Sequence, residues 1–166
     1  MIRTRTDDGP LKLQGFNNLT KCLSFNLYDF FVARNEAERQ SYLAYVDEHF
    51  SAAKLTGALR GIADIIEAEV LSVSDQDYDP HGASSVLLMS DIKHGVAAHL
   101  DKSHICAHTY PDQDPAGLCS FRVDIDIATC GTIVPLRALD YMFEAFENDV
   151  VIIDYVVRGF TRDETG

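Results

Sequence analysis

The sequence predicts an α/β two-layer sandwich: one mostly antiparallel sheet with helices on one face, able to dimerise. Three observations carry that prediction. Cys119, Phe121, Val123, Ile125 and Ile127 alternate with Ser120, Arg122, Asp124 and Asp126, the period of a half-buried strand. Leu43, Val46 and Phe50, then Leu55, Leu59, Ile62 and Ile66, recur at helical spacing. The other apolar runs are short and joined by short polar connections, which suits antiparallel neighbours.

Taken in order, residues 1–12 are polar and expected to fray. Leu23, Phe25 and Leu27 alternate with Ser24, Asn26 and Tyr28, and the strand runs on through Phe30–Val32. Asn35 with Glu38 three residues later reads as a capping box. The helical pattern then covers Glu36 to Glu69 as one long helix or two abutting ones, with Ser51 the expected break. Val70–Val73 reads as a short strand and Asp75–Gly82 as a turn-rich loop. Ser85–Met89 is a buried strand, Gly95 lies in a turn, and Val96–Leu100 leads into a strand on which His104, Cys106 and His108 share one face. Pro111–Gly117 reads as a loop. Pro135 suits a helix first turn, with Leu136, Leu139, Phe143 and Phe146 as the buried stripe. Asp149–Val157 is a last strand and Arg158–Gly166 a polar tail. The sheet face away from the helices is expected to be apolar, and dimerisation would cover it.

With 166 residues, 46% hydrophobic and 24% charged, the chain is expected to form one soluble domain, residues 1–166, in the cytoplasm. No apolar run approaches the ~20 residues of a bilayer span, so no membrane association is expected. A net charge of −12 argues against a nucleic-acid partner. Cys22, Cys106, Cys119 and Cys130 form no C-x-x-C pair, so they read as free thiols rather than a zinc knuckle. Cys22 and Cys119 are expected in the core, and His49, His81 and His94 on the surface or in loops.

The richest chemistry lies in D-K-S-H-I-C-A-H-T-Y-P, Asp101 to Pro111, where Ser103, His104, Cys106 and His108 fall within six residues. As a metal site His104-x-Cys106-x-His108 is poor, because ligands at i and i+4 of a strand lie ~13 Å apart. A Cys/His hydrolase built on Cys106 or Cys119 would need an activating imidazole. A third reading is self-processing. The Ser103 hydroxyl would attack the Lys102 carbonyl, turning the amide into an ester, and a base, with His108 a candidate, would then drive β-elimination and cut the chain. On spacing alone Ser103 is an ordinary strand-start serine.

Several blocks decide between these readings. G-F-N-N-L-T-K (Gly15–Lys21), Y-D-P-H-G-A-S (Tyr78–Ser84), H-L-D-K-S-H-I-C-A-H-T-Y-P (His99–Pro111), G-L-C-S-F-R-V-D-I-D-I-A-T-C-G (Gly117–Gly131) and D-Y-V-V-R-G-F-T-R-D (Asp154–Asp163) resemble the prokaryotic, proteobacterial-type S-adenosylmethionine decarboxylase proenzymes. The resemblance implies cleavage between Lys102 and Ser103, giving a β chain of 1–102 and an α chain of 103–166. It implies that Ser103 becomes a pyruvoyl group and Schiff-base former, that His108 is the base in processing, and that Cys130 is the proton donor in turnover. Tyr78 matches an aromatic that stacks on adenine, and Ser84 a serine near the processing centre. The implied reaction is decarboxylation of S-adenosylmethionine to the aminopropyl donor for spermidine. The implied assembly is a homodimer or higher homo-oligomer with sites near its interface, and Mg2+ activation enters the expectation from the same family. Between Met89 and His99 the chain is shorter than longer relatives. A pyruvoyl decarboxylase of arginine or ornithine and a non-catalytic regulatory relative are the alternatives.

Overall fold

A computed structural model of the chain describes residues 20–91, 102–130, 133–146 and 149–158. The expectations for residues 1–12, His94, Gly95, Val96–Leu100 and the tail beyond Arg158 lie outside the described residues.

The elements are β1 (Thr20–Val32), α1 (Glu36–His49), α2 (Ala52–Ile65), β2 (Ala68–Asp77), β3 (Ala83–Asp91), β4 (Lys102–Gln113), β5 (Leu118–Cys130), a 3₁₀ turn (Pro135–Ala138) leading into α3 (Leu139–Ala145), and β6 (Val150–Arg158). Six strands form one sheet in the order β2-β3-β4-β5-β1-β6, and every adjacent pair is antiparallel. The helices cover one face. Leu23, Phe25, Leu27, Leu87, Met89, Ile105, Ala107, Phe121, Val123, Ile125 and Ile127 point into that layer and are buried with Leu55, Leu59, Ile62 and Met142. Each fully buried Leu, Ile or Phe side chain stabilises the fold by about 1.5–3 kcal/mol.

Local signals account for most boundaries. Asn35 Oδ1 accepts the Glu38 amide at 3.0 Å, and Glu38 Oε2 accepts the Arg34 amide at 2.8 Å, so the reciprocal cap reaches one residue further back than the usual box. The helical stretch does break at Ser51, but the Ser51 side chain caps nothing. Asp77 on β2 takes over, its Oδ1 accepting the Ala52 amide at 2.7 Å. A β-bulge between Val70 and Ser72 shifts the parity of β2 and brings Asp75 and Asp77 to the α2 side, where Asp75 accepts from Thr56 Oγ1 at 2.8 Å. That is why β2 runs to Asp77 and not to Val73: acidic residues read as loop have partners on a helix. In the β4–β5 turn Gly117 has φ +104°, and a Cβ there would lie 2.5 Å from the Ala33 carbonyl, so only glycine fits.

Two expectations are corrected. The stripe buried after Val134 is Pro135, Ala138, Met142 and Phe146, while Leu136 and Phe143 are exposed. A 3₁₀ turn winds tighter than an α-helix, so the stripe moves off the register of uniform 3.6-residue spacing. The uncovered face is also less apolar than expected. Its central strands carry Ser24, Asn26, His104, Cys106, His108, Arg122, Asp124 and Asp126. Its apolar exposed residues lie toward its edges and strand ends: Leu88 on β3, Tyr110 on β4, Leu118 on β5, Phe30 and Val32 on β1, and Val150, Ile152 and Val156 on β6. Cys22 lies on this face, half-buried, and Cys119 in the core.

Candidate active site

Ser103 is the second residue of β4, opposite Met89 of β3. Parity turns its side chain toward the helices, where it is only 1% exposed. A buried hydroxyl needs a partner, and the Cys130 amide supplies one, donating to Ser103 Oγ at 3.1 Å. The β4–β5 ladder proper runs from His104↔Ala128 to Gln113↔Cys119. At its end, then, a strand amide is turned onto a serine hydroxyl. Lys102, the residue whose carbonyl Ser103 would attack, is the first residue of β4. Cys130 closes β5 and is half-buried.

The other predicted residues gather at the opposite end of β4. His108 pairs with Ser84 on β3 and with Asp124 on β5. All three are half-buried on the uncovered face. Tyr78 donates its hydroxyl to Ser84 Oγ at 2.7 Å, and the residue is 43% exposed. Arg122 Nε lies 3.1 Å from Asp124 Oδ1, and its guanidinium sits 4.2 Å from the Tyr110 ring centre. Burial pushes the Asp124 carboxyl above the ordinary range; Asp126 adds to this, while Arg122 and His108 pull against it.

Ser103 and Cys130 are therefore together, as are Tyr78, Ser84 and His108. The two groups are not. Ser103 and His108 are five residues apart on one extended strand, about 16 Å, and on opposite faces. A hollow of about 260 Å³ opens beside Tyr78, lined by Asp47, Phe50, Asp77, Gly82 and Thr109. It is smaller than the ~300–1,000 Å³ of sites for drug-sized ligands, and it does not reach Ser103.

His104, Cys106 and His108 do share the uncovered face. Burial raises the Cys106 thiol, and Asp126 adds to that, so Cys106 is a protonated thiol at neutral pH and a poor nucleophile. Among the described residues no group of three or more His, Cys, Asp or Glu comes together to hold a metal ion, so no residues are assigned to the expected Mg2+. His49 is exposed, and His81 pairs with Asp47 at 2.7 Å. No described helix is long and apolar enough to cross a membrane. Sequence reading missed Lys21 and Thr129, which are cross-strand partners on β1 and β5 next to Cys130. Lys21 closes the motif Gly15–Lys21, but nothing local shows what it binds.

The S-adenosylmethionine decarboxylase family profile matches residues 47–159, more than half of the chain. The chain belongs to that family. The S-adenosylmethionine decarboxylase proenzyme of Stenotrophomonas maltophilia (strain K279a) is 54% identical over 170 residues, covering 94% of this chain and 64% of the relative. The proenzymes of Xanthomonas campestris pv. campestris (strain B100) and Xylella fastidiosa (strain M12) are each 53% identical with the same coverage. The chain thus spans 64% of the length of these curated relatives. The crystal structure of adenosylmethionine decarboxylase from Aquifex aeolicus aligns with a TM-score of 0.58 and 20% identity, covering 91% of this chain and 99% of that one. At that identity the likeness establishes the shared fold. The expected family and the α/β sandwich both hold.

Proposed function

We propose that the chain is the proenzyme of a pyruvoyl-dependent S-adenosylmethionine decarboxylase of the cytoplasm, making the aminopropyl donor for spermidine. One observation carries the reading: within a family motif, a serine hydroxyl is buried at the start of a strand and held by the Cys130 amide at 3.1 Å.

That placement suits self-processing. Ser103 Oγ attacks the Lys102 carbonyl carbon, the C–N bond breaks, and an ester and a free amine result. A base removes the α-proton of residue 103, the Cβ–Oγ bond breaks, and Lys102 leaves as a carboxylate. The remaining enamine takes up water and releases ammonia, leaving pyruvoyl at the head of residues 103–166 and freeing residues 1–102. The Cys130 amide stays on Oγ throughout, so it faces the oxygen on which charge develops as the carboxylate departs. Once formed, the pyruvoyl group supplies the electron sink for loss of CO₂ from an α-amino acid. Cys130 is the proton donor in this reading. Tyr78 offers an exposed ring for adenine and for the sulfonium charge, an attraction of about 0.5–2 kcal/mol.

His108 serves Ser103 in this scheme through a second copy of the chain. Two sheets packed by their uncovered faces about a twofold axis near Cys106 would bring the His108 end of one β4 toward the Ser103 end of the other, on the side away from the Ser103 hydroxyl, so the imidazole would approach the backbone of residue 103, where the α-proton lies, and not Oγ. The hollow beside Tyr78 supports the same view, since it falls short of the size S-adenosylmethionine needs.

Intact-mass spectrometry tests the reading. Two fragments divided after Lys102, the second reacting with a hydrazine reagent, are expected, and Ser103→Ala should remain one unlabelled chain. Turnover of S-adenosylmethionine should far exceed that of arginine or ornithine. A chain that stays whole under native conditions, with no reactive carbonyl, removes the enzyme reading.

A further inference from the structure

The Ile133 carbonyl is held from two strands at once. Lys21 Nζ of β1 donates to it at 2.8 Å, and Thr129 Oγ1 of β5 lies 3.3 Å from it. Lys21 and Thr129 are directly opposed in the β1–β5 ladder, and Thr129 is fully buried. Lys21 thereby ties a backbone group 112 residues away to the sheet. That group lies three residues past Cys130, whose amide holds Ser103 Oγ. A charge-assisted hydrogen bond is roughly twice as strong as a neutral one, so of the two donors Lys21 dominates.

We infer that Lys21 is a positioning residue for the chain cut: by fixing the Ile133 carbonyl it holds the Cys130 amide on the Ser103 hydroxyl and so sets the rate at which the chain divides. This rests on the self-processing reading above. The amide matters at two moments. Before the cut it selects the rotamer in which Oγ is held. During elimination it faces the departing carboxylate oxygen. A displacement of a few tenths of an ångström at either moment weakens a hydrogen bond whose strength depends steeply on geometry. Lys21 is a positioning residue and not a catalytic one, because it acts through the Ile133 carbonyl.

The test uses the full chain made by cell-free synthesis, so that the cut can be timed. Lys21→Met should lengthen the half-time of division at least about tenfold, the size expected for losing one hydrogen bond to a charged group. Lys21→Arg, which keeps the charged donor, should restore the rate to within about threefold. Loss of general stability would not be rescued selectively by that change. Where Lys21→Met fails to fold, Lys21→Gln takes its place, with an intermediate slowing expected. Amide hydrogen exchange in the undivided chain gives a second readout. Lys21→Met should speed exchange at Cys130 about tenfold and leave the Val123 and Ile125 amides unchanged. If the wild-type chain divides and Lys21→Met divides equally fast, the inference is overturned. If the wild-type chain never divides, the decarboxylase reading falls and exchange decides alone: faster exchange at Cys130 supports the Lys21 contact, and unchanged exchange overturns it.

Discussion

The two ends of β4 are built on opposite plans. At one end Ser103 is sealed beneath the helical layer, with one amide on its hydroxyl and the Ile133 carbonyl pinned nearby. At the other, His108, Ser84 and Tyr78 stand on the uncovered face, half-buried or exposed, among charged neighbours. The first end suits a reaction of the chain upon itself, where the reacting atoms are already part of the backbone and water is a competitor. The second suits something that arrives, a substrate or a second copy. Period-two geometry enforces the contrast, because an odd spacing along a strand without a bulge reverses the face.

The sharpest way to break the comparison is to ask whether the ends cooperate within a chain or between chains. His108→Ala alone should remain undivided, as should Ser103→Ala. Co-expressed, they can pair so that one interface contains the Ser103 of one copy and the His108 of the other. In that mixture the His108→Ala chain is expected to divide, read as the appearance of a fragment of its tagged mass. Failure of the mixture to divide, where wild type does and His108→Ala alone does not, would place the action of His108 on the Ser103 of its own chain, and division by His108→Ala alone would place it outside the processing.

Cys130 sharpens the contrast at the sealed end, because its two groups have separate tasks. Its amide holds Ser103 and survives any side-chain substitution, while its thiol is assigned to turnover. Cys130→Ala should therefore divide within a few-fold of the wild-type rate but lose about 10²- to 10⁴-fold in kcat, the usual contribution of a positioned proton donor. Full turnover by Cys130→Ala would remove the thiol from the reaction. Loss of division instead would mean that the thiol's packing is needed to hold the amide.

Much of this was legible in residue order. The alternation from Cys119 to Ile127 identified β5, and the same period placed His104, Cys106 and His108 on one face. Ser103 at an odd position and His108 at an even one already implied opposite faces, an inference that needs only a strand running unbroken between them. Other features depend on partners far away in the chain. Asp75 and Asp77 looked like loop residues until Thr56 and Ala52 came to meet them. Cys22 looked like core because its strand is apolar, but its parity follows Ser24 and Asn26. Lys21 could not be read at all, since the carbonyl it holds comes from Ile133 and nothing local marks that residue as an acceptor.

The smallest effect expected is on stability, at the open end. Asp124 faces His108 across the β4–β5 ladder, and burial, its largest influence, holds its carboxyl above the ordinary range in spite of Arg122. A raised carboxyl means that the folded chain binds that proton more tightly than the unfolded chain does. Its contribution to stability is then complete below the ordinary Asp value of about 3.9 and is lost as pH rises through the folded value. At pH 7 the ionised group works against folding, so Asp124→Asn should raise Tm by about 1–2 °C, and the gain should vanish below about pH 4. A fall in Tm at pH 7 would mean that attraction to Arg122 and His108 outweighs burial. The polar face would then be stabilised by its own ion pairs, and the open end would be less of a vacant surface than its exposure suggests.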